Sequence, residues 1–422
     1  MNVAKVVLVI CISAGTAFAR TIPICEAKGA LPDGKTKNTV ALQAAIDKCS
    51  AQGGGELELK PGVYVSGPLD LKSHVSILLR KGATLLGSPD IEDYPIRADA
   101  PWRRVSLIHA DKAEDIGVIG EGTVDGNGQG WWTRQLTRVK GSPEQQRPML
   151  IDITNSKKIL IDGVTITQSP QYNILVVGSD GLTVRNVRII NPGKLAPNTD
   201  GIDPVSTSHV LIDHVFIDTG DDNVAIKSGL VERGDPNVPS TDIVIRDCTF
   251  LHGHGLSIGS ETAGGVRNVT VERVTFNGTT QGIRIKSARG RGNDIGNFVY
   301  RDITMDNVGT AIQITEYYTG FKGDEVAVPV TEHTPKFHDI TIENVTITNA
   351  KVGLLAMGLP ESPIKALKLK NVKITAERGQ VARYAEIAED HVSITSTGSE
   401  AVTGKKAEDG AGNGPGVIIT GK

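Results

Sequence analysis

Ile159-Leu-Ile-Asp-Gly-Val-Thr-Ile166 and Leu182-Thr-Val-Arg-Asn-Val-Arg-Ile189 are two copies of one pattern: apolar, any, apolar, any, any, apolar, any, apolar. Six further copies start at Val210, Ile243, Val269, Phe298, Ile340 and Leu367. Each copy is two short strands of period two, rich in β-branched residues and joined by a bend. The segment that follows supplies a third strand, such as Asn223-Val-Ala-Ile-Lys227 or Gly282-Ile-Arg-Ile-Lys286. None of these strands is long enough to bury a face alone. Three strands per turn of ~25 to 30 residues therefore imply coils that stack and share one core. The expected fold is all-β, a single-stranded right-handed parallel β-helix. A β-propeller would need four strands per blade at steadier spacing.

The rest of the chain fits around that solenoid. Residues 38–50 carry apolar side chains at helical spacing and can close the exposed N-terminal end as a capping helix. Residues 398–422, rich in Gly, Lys and Glu, read as a flexible tail, which leaves 20–397 as the β-helix domain. Residues 1–19 carry Lys5, a short apolar run and Ala17-Phe18-Ala19, the layout of a secretory signal; the run is too short to span a bilayer. The expected location is extracellular, or periplasmic if export stops there, with no membrane attachment after cleavage.

Of the four cysteines, Cys25, Cys49 and Cys248 survive that cleavage. An odd number in an oxidising compartment leaves one over. A Cys25–Cys49 disulfide would staple the N-terminal tail to the capping helix. Cys248 occupies the inward slot held in other copies by Val164, Val187, Val215 and Val274, and reads as a buried free thiol. No Cys/His spacing suggests a structural metal.

A net charge of −3 excludes the broad positive field of a nucleic-acid binder. Any acidic ligand must then be held by local cations. Aligning the third strands at Ile202, Val224, Leu256, Ile283 and Ile312 stacks what lies beside them. Asp200, Asp222, His254 and Gln281 form one column, and Asp203, Ala225, Ser257 and Arg284 a second. Val205, Lys227, Gly259 and Lys286 form a third. Asp200 alone reads as a turn residue, and Arg284 or Lys286 alone as a solvated charge. Three carboxylates on neighbouring rungs about 4.8 Å apart, with an imidazole and cations on the same face, need a different explanation. They repel one another unless function or a cation compensates.

Asn198-Thr-Asp200, Gly220-Asp-Asp222, Gly253-His-Gly255 and Arg284-Ile-Lys286, in that order and spacing, resemble the four signature motifs of glycoside hydrolase family 28, the polygalacturonases. The likeness extends to Asp33-Gly34, the segment Gly122 to Gly128 followed by Trp131-Trp132, and Tyr318. The resemblance implies inverting hydrolysis of α-1,4 bonds in de-esterified pectin. Asp221 would be the general acid, and Asp200 and Asp222 would position and deprotonate the water. His254 would sustain the acid's protonation. Asn198, Arg284, Lys286 and Tyr318 would bind the polyanionic substrate, with Lys227, Arg289 and Arg291 extending a positive strip. Inverting enzymes separate acid and base by ~6.5 to 9.5 Å, so stacked Asp200 and Asp222 cannot be one of each; they can share one water. An acidic pH optimum follows from clustered carboxylates.

The resemblance calls for no cofactor and no second copy, so a monomer is expected. The alternatives are a Ca²⁺-dependent pectate lyase, a rhamnogalacturonan hydrolase, which the Arg284-Ile-Lys286 string disfavours, and a non-catalytic carbohydrate-binding β-helix. A cleft open at both ends would act within the polymer, and endo action is the expectation. Insertions at 230–240 and 319–337 could wall off one end and give exo action instead.

Overall fold

The computed structural model describes residues 22–398, except 99, 138–145, 236–237, 319 and 321–325. Residues 1–19, expected above to be an export signal, and residues 399–422 of the expected tail lie outside the described residues. Within them, Ile159, Leu182, Val210, Ile243, Val269, Phe298, Ile340 and Leu367 are successive partners along one parallel ladder. The eight copies thus stack in register as a parallel β-helix.

The corners explain the pattern. The residue before each copy and the fifth residue within it all have φ between 50° and 80°; Lys158, Gly181 and His209 illustrate the first position, Gly163, Asn186 and His214 the second. One left-handed residue between two extended stretches turns the chain without interrupting the ladder on either side. Asn, Asp and Gly recur there because they pay least for positive φ. Inside the corner, Val164, Val187, Val215, Cys248, Val274, Ile303, Val345 and Val372 are all buried. The second strand adds the stack Ile217, Phe250, Phe276, Met305, Ile347 and Ile374.

Four turns of the coil escape the sequence pattern. Upstream, strands Gly55–Leu59, Val75–Leu79 and Glu114–Gly120 continue the first ladder. Their corners are longer: Val75–Leu79 and Ala83–Gly87 are separated by residues 80–82. Downstream, Ile387 pairs with Leu367, but Glu389 falls where Leu369 stands one turn earlier. The last coil is half open to solvent, so a charge is tolerated at that position.

Helix Thr39–Ala51 lies over the first coil and buries Leu42, Ala45, Ile46 and Cys49. It begins one residue later than the sequence pattern suggests. Asn38 instead donates its Nδ2 to the carbonyls of Leu31 and Thr36, at 3.0 and 2.8 Å. Cys25 and Cys49 are bonded, with Cα atoms 5.8 Å apart. Cys248 is free and buried.

The third strands make one continuous sheet, the floor, through Ile151–Thr154, Ile174–Val177, Ile202–Val205, Val224–Ile226, Leu256–Ile258, Gln281–Lys286 and Thr310–Thr315. Its outward side chains carry the candidate chemistry.

Candidate active site

The floor's pairing puts the predicted columns in place. Val224 pairs with Leu256 and Ala225 with Ser257; Ser257 pairs with Arg284; Val205 bridges to Lys227. Asp221 and Asp222 sit in the tight connection between Phe216–Thr219 and Val224–Ile226. His254 sits in the equivalent connection one turn later. Its flanking glycines are dictated by packing. A Cβ on Gly253 would stand 2.3 Å from the Asp221 carbonyl and one on Gly255 2.1 Å from that of Gln281, and both residues have positive φ. With no side chain on either neighbour, the His254 N–H can donate to the Asp221 carbonyl at 2.9 Å.

Two subclusters of carboxylates result. Asp222 is buried and surrounded by donors: Lys286 Nζ at 2.7 Å, Ser257 Oγ at 2.8 Å and Arg284 at 3.4 Å. Burial alone would raise its pKa, but Lys286 and Arg284 override it and the group is held below the ordinary carboxylate range. Asp200 and Asp203 share Lys227, whose Nζ lies 2.5 Å from Asp203 and 3.5 Å from Asp200. One ammonium cannot offset two buried carboxyls. Burial and mutual repulsion push Asp200 well up, and burial pushes Asp203 up to about 7. This part of the cluster keeps a proton in acid.

Asp221 is the exception. Its side chain is 22% exposed, against 5% for Asp200 and 4% for Asp222. His254 Nδ1 stands 3.0 Å from Asp221 and 3.9 Å from Asp222. Asn198 Nδ2 donates to Asp221 at 3.3 Å, and Asn198 is itself fixed by Arg147 at 2.8 Å. Burial acts to raise the Asp221 pKa, but the His254 hydrogen bond and charge outweigh it and bring it to about 2. The raised carboxyls of the cluster are therefore Asp200 and Asp203.

The expected positive strip needs correction. Lys227 and Lys286 are buried and engaged with carboxylates, so they neutralise the site rather than lie open along it. Arg289 pairs with Glu361 at 2.6 Å, and Arg291 with Glu232 at 3.4 Å. Four acids packed this closely require cations of their own before any ligand arrives. Tyr318 is 39% exposed, with its ring 5.5 Å from Lys286 Nζ and 5.9 Å from the Arg291 guanidinium.

The parallel β-helix that carries this cluster has counterparts among known proteins. The profile of the glycosyl hydrolases family 28 matches residues 49–397. The chain belongs to that family. It is thus a glycoside hydrolase. A probable polygalacturonase of Vitis vinifera is 32% identical over 82% of this chain and 72% of its own length. An endo-polygalacturonase of Pectobacterium parmentieri is 34% identical over 80% and 84%. Among solved structures, the polygalacturonase from Erwinia carotovora superposes with a TM-score of 0.73 at 31% identity, covering 89% of this chain and 99% of that one. The hyperthermoactive exopolygalacturonase from Thermotoga maritima gives 0.78 at 26% identity, covering 89% and 93%.

The structure of this family 28 hydrolase also adds residues that the motifs do not contain. Asp203 and Ser257 lie in the columns read from sequence but outside the signature strings. Tyr172, whose ring is 4.5 Å from Lys227 Nζ, and Arg147, which also donates to the carbonyls of Pro170 and Pro197, come from neighbouring coils. For Asp203 the alternation of the floor strand was a usable signal. Arg147 gave none, because its partners are 23 to 51 residues away in sequence.

Proposed function

We propose that this family 28 hydrolase cleaves the α-1,4 bonds between galacturonate units of de-esterified pectin, with inversion, after export from the cell. The observation that carries the reading is the division of labour within the acid cluster: buried Asp200, Asp203 and Asp222, set in cations, beside one partly exposed carboxyl, Asp221, next to an imidazole. Asp221 has the exposure to reach a leaving glycosidic oxygen. His254, with Nδ1 3.0 Å from Asp221, orients the acid, and as the bond breaks Asp221 passes its proton to the leaving oxygen. Asp222, kept anionic by Lys286 and Arg284, is the stronger candidate to take the proton from water. Asp200, with its raised pKa, orients that water from the neighbouring rung. Arg284, Lys286, Asn198 and Tyr318 border the site where a substrate carboxylate would lie. The named relatives from Vitis vinifera and Pectobacterium parmentieri support the same substrate.

Because Asp221 must deliver a proton, activity should fall as pH rises, giving an acidic optimum. The test is the purified protein on polygalacturonate. Reducing ends should appear without ultraviolet-absorbing unsaturated products, unaffected by a chelator, and proton NMR should show the first-formed anomer to be β. Unsaturated products would assign the site to elimination; a first-formed α anomer would replace the single-step inversion.

A further inference from the structure

We propose that the hairpin formed by residues 94–98 and 100–105 is a wall across the floor, so that this hydrolase trims one or two sugars from chain ends instead of cutting within the polymer. The inference rests on the polygalacturonate reading above and concerns where along the chain the same site acts.

The connections that lead into the floor on the edge carrying Asp221 are short through most of the solenoid. Ala83–Gly87 and Ile108–Asp111, however, are joined through residues 88–107. Part of that connection folds as a hairpin, with Ile96 bridged antiparallel to Arg104. The Arg97 N–H donates to the Arg103 carbonyl at 3.1 Å and the Val105 N–H to that of Pro95 at 2.8 Å. Its inner face lies on the floor. Arg97 donates to Asp152 at 2.6 Å and Arg103 approaches the same carboxylate at 3.4 Å. Asp152 points outward from floor strand Ile151–Thr154, in the column His109, Asp152, Leu175, Asp203. The two arginine side chains are only 10% and 12% exposed, so they are wedged between hairpin and floor.

The hairpin is braced from its other side as well. Arg104 Nε donates to the Gln146 carbonyl at 3.2 Å, and its guanidinium donates to that of Tyr94 at 2.7 Å. Arg104 also bridges to Pro148 in the next connection. Past Asp152 the floor continues through His109 and Asp70, where a hollow of about 490 Å³ is lined by Asp70, Lys72, His109, Asp111 and Lys112.

From Asp152 to Asp203 is two rungs, about 10 Å, a span of the order of a disaccharide. A polymer lying along the floor through the acid cluster would meet the hairpin after that length. The expectation of endo action assumed a cleft open at both ends, and the obstruction comes from neither insertion noted in the sequence.

The test is chromatography of the earliest products from long polygalacturonate, with viscosity followed in parallel. The wild-type protein should release only mono- and digalacturonate, with viscosity nearly constant while reducing ends accumulate. A variant in which Ile96 is joined to Arg104 through an Asn-Gly turn should make trimers and longer products the main early species. Asp152→Asn, which keeps the shape but weakens both ion pairs, should raise their share several-fold, and serves if the shortened protein does not fold. A ladder of oligomers from the wild type at the earliest times, or short products unchanged in both variants, would overturn the wall while leaving the activity intact. No reducing ends at all would overturn the activity reading itself.

Discussion

The inside and the outside of this coil obey different rules. Along the interior, the same slot holds Val164, Val187, Val215, Cys248, Val274 and Ile303, one apolar side chain after another, all buried. Along the floor's exterior, one column changes at every step: Asp152, Leu175, Asp203, Ala225, Ser257, Arg284, Gln313. A solenoid gains most of its stability from nearest-neighbour stacking, so interior positions repeat, whereas each exterior position is free to acquire a separate task. Exterior substitutions at the acid cluster should therefore change catalysis, and interior ones stability.

The sharpest separation is expected at Asp221. Asp221→Asn keeps the shape and the Asn198 contact but cannot carry the proton. It should lower kcat by roughly 10²- to 10⁴-fold, with KM and the melting temperature little changed. Nearly wild-type kcat would remove Asp221 from the acid role.

Lys286→Ala tests where the division blurs. From sequence alone this residue reads as a substrate-carboxylate ligand whose loss raises KM. In the structure its Nζ is buried 2.7 Å from Asp222, and removing one partner of a buried pair costs ~3 to 5 kcal/mol. The variant should melt earlier, and kcat should fall together with any rise in KM because Asp222 loses the cation that keeps it ionised. A pure KM effect at unchanged melting temperature would restore the simpler view.

The interior counterpart is Phe250→Ala. Phe250 is fully buried and meets Phe276 edge-on at 5.3 Å. Truncation should cost ~3 to 5 kcal/mol, read as a lower midpoint in urea. Well below that midpoint, kcat should stay within a few-fold of wild type, although the strand leads directly into His254. A large loss of kcat at intact stability would mean that interior packing sets the geometry of the acid cluster more tightly than nearest-neighbour stacking implies.

The same contrast explains what could be read in the sequence. The interior of the eight regular coils was legible because alternation and a one-residue corner leave a fixed spacing between Ile159 and Ile166, and again between Leu182 and Ile189. The coils at Val75 and Ile116 were not, since their corners take extra residues and the spacing breaks. The acid cluster was legible because its motifs keep their order. The roles of its cations were not. That Lys227 serves Asp203 and Asp200 instead of a ligand depends on how many carboxyls are buried around one ammonium, and no single strand carries that count. The hairpin that bridges Ile96 to Arg104 was missed because a loop's reach is set by where it docks, and its anchor, Asp152, lies 55 residues from Arg97.

The smallest effect is expected at Cys248, the one thiol in an inner corner column otherwise filled, among the described residues of the eight copies, by Val and Ile. The thiol is buried, its Sγ 3.0 Å from the Arg246 carbonyl, and burial pushes its pKa up to about 12. A thiolate is the reactive form, so the native protein should not react with a thiol reagent at neutral pH, and labelling should follow global unfolding. Cys248→Val places in this coil the residue found at the same slot in the coils on either side, Val215 and Val274. A volume-matched apolar exchange costs less than ~1.5 kcal/mol, and the weak sulfur–carbonyl contact it removes has little to contribute. The midpoint of unfolding and kcat should both stay near wild type. A marked loss of either would mean that this slot, alone in its column, carries something other than packing, and the interior would no longer be uniform.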